Sequence, residues 1–377
     1  MAHSGFFLAV EAAGTGAHPA SWRRADSRAE DLFTGRYWVE VIVAAEQAGL
    51  DAVFLPDSFG LQPGGPGTTR GRLDAVAIAA RVAAATHRVG LIPQAPVTHT
   101  EPFHLAKAIQ SLDFAALGRA GWEVTVSEGD EQARAFGRKP AQAAPALWHE
   151  ADEAIEVVTR LWDSWEDDAE IRDVSTGRFI DRDKLHYIDF IGDNFAVKGP
   201  SITPRSPQGR PIVAVRADGA ADAEVALRRA DLIRISADDL DAARARRTGL
   251  RAALAAAGRD PDSVHVLLDL DIHLADSTDA AHAELRTLDS WADPVVAPAP
   301  STLRHLGTAE TLREVLAAVD SAEAADGVVL RPLALPAAVR QLSALDQKPL
   351  STSTLRARLG LPRPAGRYAT STEGPPS

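Results

Sequence analysis

Apolar residues come in two alternating patterns along this chain. Short continuous runs at 6–10, 52–55, 89–92, 121–127, 212–215, 232–236, 264–274 and 328–330 predict strands. Between them, residues 37–48, 74–86, 102–117, 149–167, 222–229, 242–257, 280–291, 309–318 and 336–345 space apolar side chains three and four apart, which predicts helices. Gly49 and Gly258 stop two of these helices, and Pro102 sits where a helix can start. Residues 129–146 read as a loop. Repeated strand–helix alternation needs right-handed crossovers and a parallel sheet. Eight rounds predict an α/β fold closed as a (β/α)8 TIM barrel, with chemistry at the carboxyl ends of the strands. That rule directs attention to Asp57, Thr98, Ser127 and Asp218.

The stretch from LWDSWEDDA (161–169) to PRSPQGRP (204–211) breaks this rhythm. About forty residues between a helix and the next strand are too many for an ordinary connection. They predict an insertion at 167–210, between the fourth helix and the fifth strand, packed on one barrel mouth. Trp162 and Trp165, three apart on a helix, are expected to face one way and clamp it. Pro200, Pro204 and Pro207 stiffen its return. The chain is read as one domain over 1–368, and the polar, Pro/Gly/Ser-rich residues 369–377 as a disordered tail.

Composition narrows the function classes. Of 377 residues, 45% are apolar, which suffices for a large core. A net charge of -12 argues against nucleic acid as a partner. The absence of cysteine excludes disulfides, zinc–thiolate sites and thiol nucleophiles. No apolar run is long enough to span a membrane, and the first sixteen residues lack a basic signal-peptide region, so a cytoplasmic protein is expected. Gly14-Thr15-Gly16 lacks the third glycine of a dinucleotide fingerprint and reads as a tight turn. The loop with Gly64, Gly65, Gly67 and Gly71 has no phosphate-binding lysine. His99 and His104 flank the end of the third strand, where a general acid or base acts. His265 and His273 do not have compact metal spacing, and no metal is assigned. Asp269 and Asp271 share one strand face toward the barrel mouth, which suits ion pairing or catalysis.

Several segments carry a resemblance. They are GTGAHPASWR (14–23), AVFLPDS (52–58), EPFHLAK (101–107), GRAGW (118–122), EVVTRLWDSWEDDA (156–169), RSPQGRP (205–211) and TLRARLGLPRPAGRY (354–368). In this order they resemble the bacterial-luciferase-like flavin monooxygenases, in the branch with nitrilotriacetate, EDTA and dibenzothiophene-sulfone monooxygenases. The resemblance implies reduced FMN delivered by a separate reductase, oxygen as co-substrate, a small organic substrate and a homodimer. A deazaflavin (F420) is the other cofactor used in the superfamily.

By the same resemblance, Asp57 and Thr98 match flavin-contact positions. Trp148 stands where the family has a tyrosine and is a candidate to stack on the flavin ring. Asp218 and Gly219 stand where hydroxyl residues hold the phosphate, and retain backbone N–H groups for an anion. The family's asparagine is Glu123 here, and its histidine is Ala144. Losing a charge-assisted phosphate hydrogen bond costs roughly 1.5–3 kcal/mol, and a carboxylate beside a phosphate adds repulsion. These substitutions therefore leave a second reading, in which the barrel has lost its flavin and serves as a partner subunit or binding protein.

Overall fold

In the computed structural model, residues 5–65, 67–292, 302–345, 347 and 351–369 are described. Eight parallel strands form the barrel: β1 (Phe7–Glu11), β2 (Ala52–Leu55), β3 (Gly90–Pro96), β4 (Gly121–Thr125), β5 (Ile212–Arg216), β6 (Leu232–Ile235), β7 (His265–Leu274) and β8 (Gly327–Pro332). Each strand pairs with the next, and β1 pairs with both β2 and β8, which closes the ring. The strands read as continuous apolar runs because helices cover their outer faces while the barrel interior covers their inner ones. A short extra strand, Arg304–Gly307, pairs with the outer end of β7. No helix among the described residues is long and apolar enough to cross a membrane.

The interior is layered. Leu355, Leu359 and Leu361, from the TLRARLGL segment (354–361), pack with Phe7, Ile92 and Leu232 and stopper the base. Gly90 permits this approach, since a Cβ there would lie 2.9 Å from Leu355 Cδ1. Above the leucines lie Ala9, Phe54, Ala214 and Val329, all buried. Two residues further along the strands, the inward positions become charged.

Arg234 on β6 is fully buried and bonds Glu11 on β1 at 2.7 Å, Glu123 on β4 at 2.9 Å and Asp269 on β7 at 2.9 Å. Arg216 on β5 pairs with Asp269 and Glu11, Arg331 on β8 with Glu11 and Asp271, and Arg304 with Asp271. Four guanidiniums thus face four carboxylates. A planar guanidinium with five donors can bridge strands in this way, whereas a lysine ammonium cannot. Burial alone would raise the Glu11 carboxyl, but Arg234, Arg331 and Arg216 override it and hold it down to about 2. Asp269 and Asp271 therefore serve ion pairing, one of the two roles their shared strand face allowed.

Two helix expectations change. The helix before the insertion spans Ala144–Trp162, not 149–167. It stops because the buried carboxylate of Asp163 receives Arg205 and Arg210 from the insertion's return. Trp162 and Trp165 consequently part company. Trp162 donates to Ala106 O on the neighbouring helix, while Trp165 donates to Ser201 O and is the one of the two that holds the insertion. Inside the expected loop, Asp130–Phe136 is a short helix. The insertion consists of two hairpins, Glu170–Asp173 with Arg178–Ile180 and Phe190–Ile191 with Ala196–Val197. The expected disordered tail, apart from residue 369, lies outside the described residues.

Arg234→Met should leave Glu11, Glu123 and Asp269 buried without their shared cation, lowering the unfolding free energy in urea by about 3–5 kcal/mol. Acid should act on the same network. Glu11 stabilises fully above its ordinary value of 4.5, and this contribution drains as pH falls toward about 2. Stability measured across that window should therefore decline more steeply in the parent than in Arg234→Met.

Candidate active site

The charged layer forms a floor, and the loops leaving the strands build a mouth above it. Gln94 on β3 links the two, donating to Glu123 at 2.9 Å and accepting from the Asp57 N–H at 2.9 Å. The Asp57 carboxylate accepts from Ser58 N at 2.7 Å and Ala75 N at 2.8 Å. It thereby ties together both ends of the glycine-containing loop 58–74 and takes the first N–H of the helix that follows, whose N-cap is Asp74. Burial pushes the Asp57 carboxyl up, against these backbone donors. Thr98 accepts from Ser127 N at 2.9 Å, joining the loops after β3 and β4.

Next to this junction His99 stacks on Phe136 with ring centroids 4.6 Å apart, and Phe136 meets Phe59 edge-on at 4.7 Å. Neither His99 ring nitrogen has a hydrogen-bond partner, nor do Thr125 Oγ1 and Ser127 Oγ, although all are buried. An orphaned buried polar atom costs about 1–3 kcal/mol, so a cluster of them marks a place built to receive polar groups. Burial first, then the nearby Lys139 and Arg138 charges, push the His99 imidazole down. A neutral ring offers one donor and one acceptor. His104 is exposed on its helix, His265 bonds Leu359 O, and His273 pairs with Glu284.

A cavity of about 470 Å³ opens beside this mouth, between the loops after β1 and β2 and the end of β8. Its wall is the GTGAHP segment, with Glu11, Leu55 and Arg331 toward the barrel and Thr69 and Arg72 from the 58–74 loop opposite. Gly16 is required here: its φ is +144°, and a Cβ would lie 2.3 Å from Leu333 O. The opposite loop is held by its own bonds. Gln62 exchanges hydrogen bonds of 3.0 and 2.9 Å with the Gly71 backbone, and Trp22 donates to Gly67 O at 2.7 Å.

The remaining candidate positions lie elsewhere on the rim. Trp148 is half-buried in the second turn of Ala144–Trp162, and Ala144 opens that helix. The N–H groups of Asp218 and Gly219 are engaged by the Asp222 carboxylate, at 3.1 and 2.8 Å. Asp218 itself accepts from Ser236 N at 3.0 Å. Sequence reasoning overlooked the capping spacing from Gly219 to Asp222, by which Asp222 turns back on these donors. It also missed Thr69, Arg72 and Phe136, whose only signal was their place in glycine-flanked loops.

Two parts of an FMN molecule would meet different surroundings here. The ring edge carries alternating donors and acceptors, and the unpartnered groups of His99, Thr125 and Ser127 fit that chemistry. A phosphate needs free N–H donors or cations. The β5 loop does not fit one as it stands, because Asp222 already fills its two N–H groups and the Asp218 carboxylate stands beside them.

The sequence profile described as luciferase-like monooxygenase matches residues 4–338. The N-acetyl-S-(2-succino)cysteine monooxygenase of Bacillus subtilis is 33% identical over 290 residues, covering 77% of this chain and 66% of that protein. The dibenzothiophene-sulfone monooxygenase of Rhodococcus erythropolis is 32% identical over 305 residues, covering 78% and 66%. The chain thus spans about two-thirds of the length of these curated relatives. The EDTA monooxygenase from Chelativorans sp. BNC1 has the same fold, with a TM-score of 0.84 at 24% identity over 95% of this chain and 98% of that one.

Asp222→Ala should free the two N–H groups for an anion. Flavin fluorescence titrations are expected to show FMN affinity rising about tenfold, the value of one charge-assisted hydrogen bond, while riboflavin, which lacks the phosphate, changes little.

Proposed function

Since the chain belongs to the luciferase-like monooxygenase family, we propose that it is the oxygenase of a two-component system. It takes reduced FMN from a separate reductase and uses oxygen to oxygenate a small organic substrate. FMN is preferred to a deazaflavin because the relatives named above are monooxygenases. The observation that carries this reading is the set of unpartnered polar atoms at His99, Thr125 and Ser127, at the same barrel mouth as a cavity, lined from the β1, β2 and β8 ends, that is large enough for a small organic molecule.

In this reading His99, Thr98, Thr125 and Ser127 hold the ring edge, Asp57 braces the loop beside it, and Trp148 is the candidate stacking side chain. The bound reduced flavin supplies the electrons that activate oxygen. Phe59 and Phe136 form an apolar roof that excludes water from the ring edge. His99, kept neutral by burial, accepts or returns a proton at a ring nitrogen. The β5 loop, with Asp218 and Gly219, carries no phosphate in this arrangement.

The remaining expectations belong to the same proposal. Residues 1–368 form one domain with the insertion at 167–210. Two copies pair, in keeping with the exposed apolar side chains Val174, Phe179, Tyr187 and Ile191 on the insertion. A cytoplasmic location accords with the absence of cysteine.

A flavin titration followed by fluorescence tests the reading. The parent chain should bind FMN with a dissociation constant on the order of micromolar, near -8 kcal/mol, and Asp57→Ala or His99→Ala should weaken binding at least fivefold without unfolding the protein. A folded parent chain that leaves FMN fluorescence unchanged up to several hundred micromolar would overturn it. Because the folded His99 imidazole titrates below the ordinary 6.5, binding should hold steady as pH drops through that value and decline only at lower pH. His99→Gln should abolish that decline.

A further inference from the structure

The cavity beside the mouth has a polar end that the flavin reading does not use. Arg72 Nε and Thr69 Oγ1 are both buried, both line the cavity, and both lack a hydrogen-bond partner. The Arg72 guanidinium makes one long hydrogen bond, to Gly60 O at 3.3 Å. No carboxylate of the described residues lies within 4 Å of it, in contrast to the cations of the charged floor. Glu11, the one acid lining the cavity, is engaged by Arg234. His18, also on the wall, is bonded to Asp289 and to Ala20 N. A guanidinium withdrawn from water with no carboxylate in contact is unfavourable: burial lowers the Arg72 pKa, and Asp57 attracts it only from beyond ion-pair distance. Across the cavity the wall is apolar, with Leu32, Trp38 and Ile78.

We infer that this cavity takes a small organic carboxylate, its anionic head between Arg72 and Thr69 and its apolar body against Leu32, Trp38 and Ile78. The inference rests on reading the mouth as an oxygenase site and names the substrate class for it. A protein of net charge -12 repels anions overall, so an anionic ligand needs a local cation. Arg72 supplies one, and its planar fork presents parallel donors to a carboxylate. The apolar wall selects among carboxylates for those with a hydrocarbon or aromatic body. Arg72 is thereby a specificity residue held in place by the Gln62–Gly71 clamp.

Calorimetric titration of the purified full chain with benzoate and with benzyl alcohol tests this. Benzoate should bind at least tenfold more tightly than the uncharged alcohol. Arg72→Gln should erase that preference, Thr69→Val should reduce it severalfold, and Arg72→Lys should retain part of it, with thermal melts unchanged. Equal affinities in the parent chain, or a preference that survives Arg72→Gln, would overturn the inference. So would an Arg72→Gln variant that loses affinity for FMN but not riboflavin, since the anion seated there would then be the flavin phosphate. A flavin titration without benzoate separates the two readings. Benzoate preference without flavin binding removes the oxygenase and leaves the anion site, whereas flavin binding without benzoate preference does the reverse.

Discussion

One guanidinium inside the barrel fixes what the rest of the molecule can be. Arg234 reaches from β6 to carboxylates on β1, β4 and β7, so strands far apart in sequence meet on a single cation. A buried charge of this kind is tolerated only when its partners arrive in correct geometry. The apolar layers below supply most of the burial and tolerate repacking. The charged layer does not, because a shifted strand register would turn its acid toward the helices and leave a cation stranded. The mouth inherits this rigidity: Gln94 passes it from Glu123 to Asp57, and Asp57 passes it to both ends of the 58–74 loop.

The parts of the fold legible in the sequence were those governed by neighbours in the chain. Each strand showed itself as an apolar run with a breaker at its end, and the count of eight implied closure. The helix ending at Trp162 was overrun because its terminator, Asp163, is explained only by Arg205 and Arg210 more than forty residues later. The same holds for Glu123. As one letter it looked like a lost flavin contact, but its meaning depends on Arg234, 111 residues away. Asp218 and Gly219 lie on the rim, and the carboxylate engaging their N–H groups is that of Asp222, three residues past the Gly219 cap of the next helix; this capping spacing is local and legible, but its effect on the rim shows only once the loop is folded.

Function divides among three tiers. The floor sets charge balance, the ends of β3 and β4 offer unpartnered polar atoms, and the 58–74 loop closes one side of the cavity. In the floor every charged side chain has an opposite charge within the chain. The two tiers above it keep donors and acceptors without partners at His99, Thr125, Ser127, Thr69 and Arg72. Such groups destabilise a protein unless something outside the chain completes them.

The leucines at the barrel's base have a bearing on how the molecule is made. Leu355, Leu359 and Leu361 follow all eight strands in sequence yet fill the space those strands enclose. All eight strands are therefore synthesised before the residues that stopper their base. A nascent chain halted after β8 would carry an open shaft lined by Phe7, Ile92 and Leu232, a natural surface for a chaperone to hold until the stopper emerges.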